Sequence, residues 1–111
     1  MKRTGLVILV LALALPLSAE TWKNVALMDA NCAAKADKLA NPDAHTRACA
    51  LKCATSGYGA VVDGKFVKFD AKGSDLAKEA LSKSDKKDHL HATVNGELKD
   101  GVISVTSLTL Q

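Results

Sequence analysis

Tyr58-Gly-Ala-Val-Val-Asp-Gly-Lys-Phe-Val-Lys-Phe69 contains two short runs of β-forming residues separated by Asp63-Gly64. A two-residue link of this kind closes a hairpin in which both central positions take positive φ, a conformation that aspartate tolerates and glycine prefers. The segment therefore predicts a pair of strands, Tyr58 to Val62 and Lys65 to Phe69. Gly57, just ahead of them, is placed to end a preceding helix.

On the N-terminal side, Thr21 to Met28 reads as another strand, carrying the single tryptophan, Trp22, with Val25 and Leu27 on one face. From Ala30 to Ala54 the chain is rich in alanine with charges at helical spacing. Within it Asn41-Pro42-Asp43 predicts a helix start, with Asn41 as the cap and Pro42 at the first helical position. On the C-terminal side, Gly73-Ser74-Asp75 predicts a helix capped by Ser74. Its apolar stripe is Leu76, Ala77, Ala80 and Leu81, and lysines crowd its last turns.

Leu90, Ala92 and Val94 alternate with His89, His91 and Thr93, which predicts a half-buried strand. Asn95-Gly96 predicts a bulge or sharp bend. Lys99-Asp100-Gly101 turns the chain into a last strand, Val102 to Leu110, whose apolar phase slips between Val105 and Leu108. The order is strand, helical insert, strand, strand, helix, strand, strand. The predicted class is α+β, mainly β: a small five-stranded OB-like barrel with a cysteine-bearing insert after strand 1 and a helix between strands 3 and 4. An open α+β sheet covered by one helix is the competing arrangement.

The chain has 111 residues, enough for one domain, and no internal repeat or low-complexity linker. Its apolar content of 48% is unevenly spread: 13 apolar residues fall in 1–19 and 40 in 20–111, of which 15 are alanine. So modest a core excludes a large α/β enzyme scaffold. Lys2 and Arg3, the unbroken apolar run Leu6 to Leu15, Pro16, and the small residues before Glu20 form the three-part pattern of a secretory signal peptide. The run is too short for a membrane span of about 20 residues. The expected division is a signal peptide at 1–19 and one OB-like domain at 20–111, with residues 30–56 as the insert. Without Lys2 and Arg3 the formal charge of +3 becomes +1, which leaves no electrostatic footprint for nucleic acid. An exported protein, periplasmic or extracellular, is expected, with no nucleic-acid partner and no membrane association once the signal is removed.

The chemistry in the insert centres on Cys32, His45, Cys49 and Cys53. Export permits disulfides, but three cysteines cannot all pair within one chain. One thiol stays free, or chains join as a disulfide-linked dimer, or a metal holds the sulfurs. On a continuous helix, His45 and Cys53 would lie about 12 Å apart along the axis. A zinc ion with bonds of about 2.0–2.3 Å does not span that distance. A single ion would use Cys32/His45/Cys49 or Cys32/Cys49/Cys53; all four as ligands would need a break in the helix. Soft thiolates with one imidazole suit copper(I) or zinc. For a disulfide, Cys49 and Cys53 at helical spacing have Cβ atoms about 5–6 Å apart, wider than the favoured distance of about 3.8 Å. Cys32 is the better partner for either; it lies just past strand 1 and Cys53 just before strand 2, which favours Cys32–Cys53 if those strands are neighbours, with Cys49 left beside His45. Redox work by Cys49 is a third reading, without support from a C-x-x-C pair.

His89 and His91, two apart on the predicted strand, would point to one side and offer a weaker metal-chelating pair. No G-x-S-x-G, H-E-x-x-H or glycine-rich phosphate loop is present, and no catalytic residue is assigned.

The stretch from Trp22 onward resembles a group of small exported bacterial proteins. The likeness rests on Asp29-Ala-Asn-Cys32, His45-Thr-Arg-Ala-Cys49-Ala-Leu-Lys-Cys53, Ser56-Gly57-Tyr58-Gly59, the Asp63-Gly64-Lys65 hairpin, Asn95-Gly96 and Ile103-Ser-Val105. It implies export and a compact β-rich body, and no activity. The expectation is a non-enzymatic binding or accessory protein of the envelope, with metal handling through the cysteine/histidine cluster. A disulfide-stapled interaction module and a thiol-redox protein are the alternatives.

Overall fold

The first strand, β1 (Glu20–Asp29), serves two partners in turn. Its first part pairs antiparallel with β4 (His91–Lys99), and its last four residues pair antiparallel with β2 (Tyr58–Val62). The change is made at Asn24, whose φ of 57° lies where the register slips between Trp22 and Val25. Asparagine is one of the few residues with a side chain that enters this region readily. The structure, a computed structural model, describes residues 19–111; the expected signal segment lies outside the described residues except for Ala19.

β2 folds back into β3 (Lys65–Phe69) through Asp63 and Gly64, at φ 51° and 80°, as their sequence requires. β4 and β5 (Val102–Leu110) are joined by the same kind of turn, Asp100 at 53° and Gly101 at 79°. In that hairpin Asn95 faces Ser107 and Gly96 faces Val105, so Thr106 is an extra residue on β5. One bulge thus accounts for both the Asn95-Gly96 signal and the phase slip. β3 and β5 meet in a short parallel pair, Lys68 with Val102 and Phe69 with Ile103. Hydrogen-bonded neighbours run β1-β2-β3-β5-β4, and the β4–β1 pairing closes this five-stranded mixed sheet. The chain is a small α+β domain with a single main core.

Leu27, Tyr58, Ala60, Phe69, Leu90, Ala92, Val94, Ile103 and Val105 point inward and pack together. Burial of each large aliphatic side chain here contributes about 1.5–3 kcal/mol. Helix α4 (Ala71–Lys83) lays Ala77 and Leu81 on this core. It comes close because residue 73 is glycine: a Cβ there would lie 2.4 Å from Val105 Cγ2. The cap differs from the Ser74 expected from sequence. Asp70 Oδ1 accepts the Gly73 N–H at 2.9 Å, so the helix begins at Ala71. Ser74 instead accepts the Tyr58 N–H at 3.0 Å and ties the helix to β2. No helix among the described residues is long and apolar enough to cross a membrane.

The insert is not one helix. It comprises α1 (Ala30–Ala33), α2 (Ala36–Leu39), a 3-10 turn Pro42–Ala44, α3 (Arg47–Lys52) and a second 3-10 turn Ala54–Ser56. Local capping outweighs alanine's helix propensity here. Thr46, in extended conformation, accepts the Cys49 N–H at 3.1 Å and starts a new helix one residue after His45. Asn41 makes no side-chain cap bond, although Pro42 does open the 3-10 turn. Gly57, at φ 85°, ends the last turn as expected. On the outer face of β1, Met28 packs with Cys32 and Ala33, with Leu39, Val61 and Phe66 against them.

Candidate metal centre

Asp29 ends β1 opposite Tyr58 and is fully buried. Its Oδ2 accepts the Cys32 N–H at 2.8 Å, which makes Asp29 the cap of α1. This local arrangement places the carboxylate and the Cys32 side chain side by side, three residues apart. His45 arrives from the far side of the insert, at the break between the 3-10 turn and α3, and is also buried. The break is held from several directions. Ala50 is buried in the core, and its carbonyl accepts the Tyr58 hydroxyl at 2.7 Å. Arg47 Nε donates to the Leu81 carbonyl at 2.7 Å, and the Arg47 N–H donates to the Lys87 carbonyl at 2.8 Å.

The ligand atoms of Asp29, Cys32 and His45 all lie within 4.8 Å of one another. Asp29 Oδ1 and His45 Nε2 are 2.8 Å apart. The separation suits an ion pair, yet the direction does not suit a hydrogen bond, and both atoms are buried without a hydrogen-bond partner. Proximity alone does not satisfy a donor or acceptor. A buried, unsatisfied carboxylate oxygen is costly, and a cation placed among the three atoms would satisfy it. Burial pushes the Cys32 thiol up, and the nearby Asp29 and Cys53 charges push it further. Tyr58, pressed by burial and by the same two groups, is pushed up to about 12. The surroundings of Asp29 are thus buried and electron-rich, and a metal ion would offset the concentrated negative charge.

Of the four residues singled out in the sequence, Cys32 and His45 join this group. Cys49 is exposed in the first turn of α3, and Cys53 is half-buried at its end, with Sγ accepting from Asn31 Nδ2 at 3.5 Å. The helical stripe that made His45 and Cys53 too distant to share an ion is replaced by a break at Thr46. All three cysteines are free thiols in this structure, so the expected Cys32–Cys53 disulfide is not formed.

His89 and His91 do not act as a pair. His89 lies before β4 at φ 52°, outside the strand alternation that would have aligned them, and its Nδ1 contacts Asp88 at 2.9 Å. His91 is a brace between sheet and insert, contacting Asp43 Oδ1 through Nε2 at 2.5 Å and Asn24 Oδ1 through Nδ1 at 2.8 Å.

Asp29 was not among the sequence candidates. Its signal was an aspartate at the end of an apolar strand, three residues before a cysteine, where a helix cap is expected. Capping explains one carboxylate oxygen; only the folded chain reveals that the other faces His45. The chain matches no family model, no curated protein and no solved structure.

Proposed function

We propose that this is an exported, non-enzymatic metal-binding accessory protein of a bacterial envelope, with an OB-like body carrying a zinc site at Asp29, Cys32 and His45. The observation that carries the reading is the pair of buried, unpartnered atoms, Asp29 Oδ1 and His45 Nε2, beside the Cys32 thiol. One oxygen, one sulfur and one nitrogen donor form a mixed set suited to borderline Zn(II). Copper(I), the other metal the cysteines suggest, prefers sulfur and nitrogen, so the hard carboxylate shifts the balance toward zinc. Two features support OB-like kinship: β1 shared between two sheet partners, and α4 lying between the third and fourth strands. No nucleic-acid partner is assigned, because the fold alone does not carry that function.

Titration of the purified chain with Zn(II) against a competing chelator tests the assignment. One ion per chain is expected. Asp29→Asn, Cys32→Ser and His45→Gln should each weaken binding by more than about tenfold, as loss of even an indirect metal contact does. Absence of binding, or affinity equal to that of the wild type in all three variants, would overturn it.

A disulfide-stapled interaction module is the second reading. It is favoured by the position of Cys53, whose Sγ accepts from Asn31 Nδ2, on the residue next to Cys32, at 3.5 Å. Counting free thiols after mild oxidation separates the two: one remaining thiol and no zinc uptake in the reduced chain favours the staple.

A further inference from the structure

Three protein ligands leave one position of a tetrahedral zinc ion open. Cys32 and His45 form part of the wall of a pocket of about 360 Å³ that is open to solvent, and Cys49 forms another part. This pocket is the approach from solvent to the buried group. Cys49 is exposed there, and its backbone N–H is fixed by the Thr46 hydroxyl. Cys53 does not line this pocket; its sulfur is engaged by Asn31 instead. Asp37 also reaches the rim, but its carboxylate is a harder and weaker zinc donor than a thiolate.

Building on the zinc reading, we propose that Cys49 is the exchange ligand of this centre. It takes Zn(II) from a thiolate carrier, passes it inward to Asp29, Cys32 and His45, and remains as the fourth, solvent-side ligand. Cys49 lies outside the group of atoms within 4.8 Å of one another, so its exposed side chain must turn toward the pocket on loading while α3 stays fastened through Arg47 and Ala50. The two unpartnered buried atoms provide the site toward which the ion moves. Cys32 and Cys49 each release a thiol proton to solvent as the ion binds. Exchange between an incoming thiolate and a leaving one keeps the ion coordinated throughout, and the carrier's departing thiolate takes up a proton from solvent. The partner class is therefore a cysteine-thiolate zinc donor or acceptor.

The test compares the full chain with Cys49→Ser. Loaded with Co(II), the wild type should show sulfur-to-metal charge transfer from two thiolates, and Cys49→Ser about half that intensity, one thiolate having been removed. Zinc should protect Cys49 from iodoacetamide, read by mass at that residue. Zinc supplied as its glutathione complex should load Cys49→Ser more slowly than wild type, while aquated zinc loads both alike. Equal charge-transfer intensity in the two chains, or Cys49 alkylation unchanged by zinc, would overturn the inference while leaving the zinc reading intact. A wild-type chain that takes up no metal would overturn both.

Discussion

Asp29 Oδ1 and His45 Nε2 lie 2.8 Å apart in the interior, with no hydrogen bond between them. Asp29 comes from the end of β1 and His45 from the far side of the insert, so their meeting is a product of the tertiary fold. Metal loading should therefore tie the insert to the sheet. At free zinc 100 times the dissociation constant, binding stabilises a chain by about 2.7 kcal/mol. For a domain of this size that raises Tm by roughly 10–20 °C. Calorimetry with and without zinc measures the rise, and chelator should reverse it.

Tyr58 fixes α3 through its hydroxyl bond to the Ala50 carbonyl, and both residues are buried. Tyr58→Phe leaves that carbonyl without its side-chain partner and should cost about 1–3 kcal/mol, measured by urea unfolding. The raised phenol also sets a pH dependence. The unfolded tyrosine ionises near the ordinary value of 10, whereas the folded one waits until about 12. Stability should be full below pH 10 and decline as pH rises from there to about 12. Tyr58→Phe should flatten that part of the decline.

Asp70 gives the opposite sign at the acid end. Burial alone would raise its carboxyl. Hydrogen bonds from the Gly73 and Val105 N–H groups and from the Ser104 hydroxyl outweigh burial and hold it below the usual carboxylate range. Its contribution is present above the unfolded value and lost as pH falls below about 4 toward the folded value. Asp70→Ala should cost about 1 kcal/mol at neutral pH, as loss of a helix cap does, and should show a shallower acid limb in thermal melts.

Gly73→Ala tests packing against propensity. Alanine is favoured over glycine inside a helix by about 1 kcal/mol. Here the new methyl would lie 2.4 Å from Val105 Cγ2 and 2.8 Å from Phe69 Cβ. Neither neighbour is the flexible end of a long side chain, and overpacking costs about 1–3 kcal/mol. A net loss of stability is expected; an increase in Tm would show that α4 can move away from β5 at little cost.

The sequence by itself determined the strands and their turns. Asp63-Gly64 and Asp100-Gly101 impose positive φ locally, and alternation along Leu90, Ala92 and Val94 fixes which face is buried. These signals are legible because they depend on neighbours a few residues away. The insert was legible only as helical. Where it breaks depends on Thr46 capping α3 and on Tyr58 and Arg47 fastening that helix to the body. The candidate site divided the same way. Cys32 and His45 are visible as ligand types, but an aspartate that caps a helix through one oxygen gives no sequence sign of what its other oxygen meets. Closing the sheet and folding back the insert brought His45 to Asp29, because a contact between residues so far apart in the chain is set by packing and not by local geometry.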